Sequence, residues 1–169
     1  GCAAGFFLDA ARESGLEVEG VEPGPSGADA VARGHRVHQT WLQTVDLGGR
    51  KFDAVSLWEV VEHVSDPLSL LQAAQRHLAP DGVIAFSTPS MSGLPALLMG
   101  RRFPMVNPPQ HLTLLSRAGL LRLLERAGLR IRSLESFSNL HEAQVLARMQ
   151  RLPFGGSALG PPLARLFVG

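Results

Sequence analysis

Phe52-Asp53-Ala54-Val55-Ser56-Leu57-Trp58-Glu59-Val60-Val61-Glu62-His63-Val64 is the stretch that decides the fold. Its first half, through about Trp58, is short, apolar and rich in residues that suit a pleated surface, so it reads as the central buried strand of a sheet. Its second half brings two carboxylates and an imidazole directly after the strand. Charged groups there are poorly placed for packing. They are well placed for a site, because open α/β sheets bind ligands beyond the carboxyl ends of their strands.

Working outward, strands and helices alternate. Ala4 to Ser14 reads as a helix and Leu16 to Glu22 as a short strand ended by Pro23-Gly24-Pro25. Gly27 to Arg33 is a second helix with Ser26 as its N-cap, and His35 to Leu42 a weaker strand. Asp66-Pro67 opens a helix through about Leu78, with Asp as N-cap and Pro at the first helical position. Pro80-Asp81-Gly82 reads as a turn and Val83 to Ser87 as the next strand. Ser116 opens a helix through about Ala127, which Gly128 closes. Leu129 to Phe137 reads as a further strand and Leu140 to Arg151 as helical. This alternation predicts an α/β fold with a mostly parallel, doubly wound sheet and helices on both faces.

Residues 89–112 break the rhythm. The stretch is Pro-rich, carries the apolar run Leu94 to Met99, and is long for a connection inside one domain, which marks a lid or binding element. Leu97, Leu98, Met99, Phe103 and Met105 either cover the sheet or face an apolar or aromatic small molecule. Arg101-Arg102 either meet an anionic group or face water. The expected domain is 1–152, with 89–112 as its lid, followed by a Gly/Pro-rich segment 153–169. Both ends read as cut: Gly1 begins inside a strand-to-helix turn whose first strand is expected upstream, and the last residues read as the start of another element.

The 169 residues, 45% of them hydrophobic, suffice for one domain with a sizeable core. A net charge of +1 gives no electrostatic case for nucleic acid or an anionic membrane. Cys2 is the single cysteine, which excludes an internal disulfide. No apolar run approaches the roughly 18 residues of a membrane span, and the N-terminus lacks a basic start followed by an apolar stretch. The expected location is cytoplasmic.

Three constellations carry chemistry. Gly1-Cys2-Ala3-Ala4-Gly5 leads into a helix, so it is either a turn where a ligand approaches backbone N–H groups or a plain tight turn; the G-x-G-x-x-G pattern is not met, since Ala3 and Phe6 stand at its second and third glycines. Glu22 ends the next strand at roughly the 20-residue spacing where an acidic residue meets ribose hydroxyls, or it is a solvated strand-end charge. Glu59, Glu62, His63 and, from the loop Pro108-Pro109-Gln110-His111, His111 offer oxygen and nitrogen donors suited to a divalent cation. Glu59 and Glu62, three apart, share one face of a helical turn. In the plainer alternative Glu59 binds a cofactor, Glu62 caps backbone and His63 sits in the core.

Taken in order, Gly1-Cys2-Ala3-Ala4-Gly5, Val21-Glu22-Pro23, Phe52-Asp53 through Trp58-Glu59-Val60-Val61-Glu62-His63-Val64, Leu78-Ala79-Pro80-Asp81-Gly82, Ser87-Thr88-Pro89, His111-Leu112 and Ala127-Gly128 resemble a class I S-adenosylmethionine-dependent methyltransferase with a Rossmann-like fold. The branch it resembles is that of the ubiquinone-biosynthesis O-methyltransferases. The likeness covers residues 1 to about 137. It implies that Gly1 and Gly5 line the cofactor's methionine end and that Cys2, Ala3 and Phe6 also belong to the cofactor site. Glu22 would hold the ribose diol with Pro23 beside the adenine, Trp41-Leu42 would lie at the adenine edge, and Leu57, Trp58 and Glu59 would flank the methionine moiety. Ala3 departs from the family's usual glycine. Glu59-x-x-Glu62-His63 with the later His111 also resembles the magnesium or manganese site of metal-dependent O-methyltransferases. Without a metal, His63 or His111 is the candidate general base. The expected activity is methyl transfer from S-adenosylmethionine to a small-molecule acceptor, most readily a hydroxyl. The competing readings are a non-catalytic methyltransferase-like scaffold and a nicotinamide-dependent oxidoreductase, the latter disfavoured by the glycine pattern.

Overall fold

A computed structural model describes residues 1–136. Gly1–Arg130 form one compact unit, and the described residues from Ile131 onward belong to a second. In the first unit, α1 (Phe6–Glu13), β1 (Glu19–Val21), α2 (Gly27–Ala32), β2 (Arg36–His38), β3 (Phe52–Trp58), α3 (Pro67–Arg76), β4 (Leu78–Ser87), α4 (Leu94–Met99) and α5 (Arg117–Arg126) follow in order. Single 3₁₀ turns occur at Val61–His63 and Gly100–Arg102. Among the described residues all strand pairing is parallel, β1 with β2 and β3 with β4, and each pair is joined through an intervening helix. This is the α/β arrangement expected of alternating elements. No helix among the described residues is long and apolar enough to cross a membrane.

Helix ends follow local chemistry. Asp66 accepts the Ser69 N–H at 3.0 Å and Ser116 the Gly119 N–H at 3.1 Å, so α3 and α5 start where their caps stand. Gly128, at φ 71°, donates to Glu125 O while Leu129 donates to Leu124 O, closing α5. Ser26 does not cap α2. It already lies in the helical region, and the first turn is held by backbone bonds from Gly27 to Gly24 and from Ala28 to Pro25.

Three other expectations change. The turn Pro80-Asp81-Gly82 lies inside β4 as a bulge opposite Phe52–Ala54, and a side chain at Gly82 would meet the carbonyl oxygens of Ala79, Phe52 and Asp53 at 3.0–3.2 Å. β3 is not buried on both faces: Leu57 is buried, but Asp53, Ala54, Ser56 and Trp58 are exposed. Leu57 points into the core beneath α3 and α5, while Trp58, on the opposite face, meets Phe7 of α1. Residues 129–136 form no strand. Lacking a ladder partner among the described residues, this polar stretch stays irregular. Leu140–Arg151, Phe137 and the segment 153–169 lie outside the described residues.

The core sits between β3 and the helices α3 and α5. Leu57, Val61, Leu70, Leu71, Ala74, Leu124 and Ala127 form one buried cluster, lined by Val55, Ile84 and Phe86. Each buried leucine there contributes roughly 1.5–3 kcal/mol. Because Leu57 and Val61 flank Trp58, Glu59 and Val60, this core anchors both ends of the polar segment that leaves the sheet.

Candidate functional site

Parallel pairing brings the carboxyl ends of strands side by side. Val21 stands opposite His38, and Trp58 opposite Ser87. Glu22, Glu59, Glu62, His63, Ser87 and Thr88 therefore all emerge at strand ends.

Glu22 is not a solvated charge. Its Oε2 accepts the Ala3 N–H at 2.9 Å and its Oε1 the Gly24 N–H at 2.8 Å, so the carboxylate ties the first turn to the end of β1. Gly1 lies against it: a side-chain carbon there would sit 3.2 Å from Glu22 Oε2 and 3.8 Å from Val60 Cγ2. Cys2 is half-buried, and burial pushes its thiol pKa up. Ala3 adopts φ 45°, a left-handed conformation awkward for any residue with a Cβ. Gly5 is buried at φ 85°, and a Cβ would meet Ala30 Cβ at 2.9 Å; its glycine lets α1 pack on α2. Phe6 is exposed beneath the Arg33 guanidinium, 4.1 Å from its ring centroid. Pro23 and Trp41 are exposed, whereas Leu42 packs against the main core. Trp58 meets Phe7 edge-on with ring centroids 5.5 Å apart, bringing the start of α1 to the end of β3.

Glu62 and His63 belong to the 3₁₀ turn after β3. Glu62 has no solvent exposure. Its carbonyl accepts the N–H groups of Leu112 and Thr113 at 2.8 and 3.0 Å, its Oε2 accepts the Thr88 hydroxyl at 3.1 Å, and its Oε1 has no hydrogen-bond partner. Burial pushes its carboxyl above the ordinary range, and the nearby Glu59 charge pushes the same way. His63 is exposed, with Nδ1 2.8 Å from Gln110 O; His111 is half-buried, with Nδ1 2.6 Å from Met105 O. A carbonyl only accepts, so each Nδ1 donates, and the tautomer this selects has its lone pair on Nε2. The two rings lie 4.9 Å apart, and Glu62, His63 and His111 bring one ligand atom each within 4.8 Å of one another.

Glu59 stands outside this trio. It receives the Ser87 hydroxyl on its carboxylate and donates its own N–H to Ser87 Oγ. The stretch 89–112 is not a bare loop: it contains α4, its base is closed by the Ser90–Leu115 bridge and the Met91 N–H bond to Leu115 O, and its far end is pinned to Glu62. Leu97 and Leu98 of α4 are exposed, as are Arg101 and Arg102. Ser87 and Thr88, quoted from the sequence only as part of the family likeness, are the partners of the Glu59 and Glu62 carboxylates, a pairing set by the strand register.

A methyltransferase domain family model matches residues 1–134. The chain belongs to this family. It is 34% identical over 101 residues to a ubiquinone biosynthesis O-methyltransferase of Actinobacillus pleuropneumoniae, covering 52% of this chain and 43% of that protein. It is 33% identical over 96 residues to the protein of the same name from Cereibacter sphaeroides, covering 52% and 38%. The chain thus spans less than half the length of these curated relatives. The structure resembles an S-adenosylmethionine-dependent methyltransferase from Archaeoglobus fulgidus, with a TM-score of 0.69, 21% identity, and 98% of this chain and 72% of that one covered. It also resembles one from Mesorhizobium loti, with a TM-score of 0.66, 23% identity, and 88% and 79% covered. These likenesses establish the Rossmann-like α/β fold of such enzymes.

Proposed function

We propose that the protein moves a methyl group from S-adenosylmethionine to a hydroxyl of a small, partly apolar or aromatic acceptor, with a divalent cation, Mg²⁺ or Mn²⁺, at the Glu62, His63 and His111 trio. The observation that carries this reading is the trio itself: three donors within 4.8 Å at the strand ends of a methyltransferase-family domain.

The residues present suit both groups. The small-residue turn through Gly1 and Ala3, the Glu22 carboxylate and the exposed Trp58 line the strand ends where the cofactor belongs; two of Glu22's lone pairs serve backbone, which leaves capacity for a diol. Bound there, S-adenosylmethionine supplies an electrophilic methyl group. Glu62, His63 and His111 together make a mixed oxygen–nitrogen donor set of the kind a divalent ion takes. A cation held by them would lower the pKa of an acceptor hydroxyl. The chain's own residues orient the partners, an effect that can supply roughly 7–11 kcal/mol of barrier lowering. The backbone carbonyls of Gln110 and Met105 keep both imidazoles in the tautomer that accepts a proton or a metal. Leu97 and Leu98 on α4 offer the apolar surface for the acceptor.

Calorimetric titration of S-adenosylhomocysteine, with and without Mn²⁺, tests the reading. Micromolar binding that is lost in Glu22→Ala, together with Mn²⁺ binding that is lost in Glu62→Ala, is the expected result. Cofactor binding with no methyl transfer to any catechol or phenol would favour the scaffold alternative. Failure of the protein to bind S-adenosylhomocysteine would overturn the proposal.

A further inference from the structure

Two adjacent hydroxyls at the end of β4 serve two different carboxylates. Ser87 serves Glu59, and Thr88, the next residue, donates to Glu62 Oε2 at 3.1 Å. A glutamate's terminal torsion is broad, so a free carboxylate does not settle the plane in which its oxygens meet a ligand. Glu62 is not free. Its backbone is fixed by the Leu112 and Thr113 N–H groups on its carbonyl, and one of its oxygens is fixed by Thr88. The other, Oε1, is fully enclosed and has no partner. An enclosed carboxylate oxygen without a protein partner is costly, and a bound cation is one group that would offset that cost.

We propose that Thr88 is a positioning residue of the cation site: by holding Glu62 Oε2 it sets the carboxylate so that Oε1 is the oxygen presented to a divalent cation shared with His63 and His111. This rests on the cation reading above. In this role Thr88 acts through Glu62, the carboxylate its hydroxyl holds. It completes a supporting set in which every ligand of the trio is held by one group, Glu62 by a hydroxyl and the two imidazoles by the carbonyls of Gln110 and Met105. Outer partners of this kind typically contribute 10–100-fold to metal affinity.

The test is the affinity for Mn²⁺ alone, read by electron paramagnetic resonance of the free ion, in the unaltered protein, Thr88→Val and Thr88→Ser. Thr88→Val keeps the shape and removes the donor, and we expect it to weaken Mn²⁺ binding about 10–100-fold. Thr88→Ser restores the donor and the affinity. Melting curves in chelator show whether the variants fold alike; should Thr88→Val fail to fold, Thr88→Ala compared with Thr88→Ser carries the same comparison. Equal affinity in Thr88→Val and the unaltered protein overturns the role of Thr88, as does equal weakening in Thr88→Val and Thr88→Ser. Absence of Mn²⁺ binding in the unaltered protein overturns the cation reading itself, so the two failures are distinguishable.

Discussion

Ser87 and Glu59 cap one another across the ends of β3 and β4: the Ser87 oxygen accepts the Glu59 N–H at 3.2 Å and its proton goes back to the Glu59 carboxylate. Glu59 holds φ 52°, a conformation rare for a residue with a side chain. Such strain persists only where surrounding bonds over-determine it, and it clusters at functional sites. The paired strands place the two residues together, because Trp58 lies opposite Ser87 in the register.

Ser87→Ala removes both bonds and leaves Glu59 strained. We expect a loss of about 1 kcal/mol, since the pair is partly solvated. Urea unfolding should show a lower midpoint with an unchanged slope. An unaltered midpoint would mean that the strained turn is held by the backbone alone.

Glu22 carries a larger share of the local structure. Two backbone N–H groups depend on its carboxylate, and charged hydrogen bonds are worth about 1.5–3 kcal/mol when enclosed and less when half-buried. Glu22→Ala should destabilise the protein by about 2 kcal/mol, and Glu22→Gln, which keeps one acceptor, by less. Equal destabilisation by the two, measured by chemical denaturation, would show that charge and not acceptor number matters.

Helix ends were legible because their caps are local: Asp66, Ser116 and Gly128 act within four residues of where they stand. The central strand was legible because its apolar run has no other use. The exposure of Ala54, Ser56 and Trp58 was not, since burial of a strand depends on what lies over each face. Nor were the partners of the carboxylates. Ser87 meets Glu59 across 28 positions and Thr88 meets Glu62 across 26, and both pairings depend on parallel register, which no local pattern encodes. Glu59 and Glu62 looked like a pair on one face; the left-handed turn at Glu59 sends them to different partners.

Ala3 shows the same kind of strain as Glu59. A left-handed conformation costs an alanine roughly 1–2 kcal/mol relative to glycine. Glycine in turn gives the unfolded chain more freedom, a loss of about 0.4–1 kcal/mol. The difference favours Ala3→Gly by about 0.5–1 kcal/mol. Thermal and urea unfolding should both register the gain; a loss would mean that the Ala3 methyl has a packing role that outweighs its strain.

Glu62 sets a pH dependence whose sign follows from burial. Its carboxyl is raised above the ordinary range because the charged form is desolvated, with Oε1 unpartnered. The unfolded chain ionises it near the ordinary value, about 4.3. Below that value both states are protonated and the residue is neutral to stability. As pH rises through the window between the unfolded and the raised folded value, the unfolded state releases its proton first, and metal-free stability falls. Glu62→Gln keeps an oxygen for the Thr88 hydroxyl but cannot ionise. In chelator, the melting temperature of Glu62→Gln should therefore match that of the unaltered protein near pH 4 and exceed it near pH 8. Saturating Mn²⁺ should reverse the order at pH 8, since the ion stabilises only the carboxylate form. A constant difference across pH would show that Glu62 is held by its shape and not penalised for its charge.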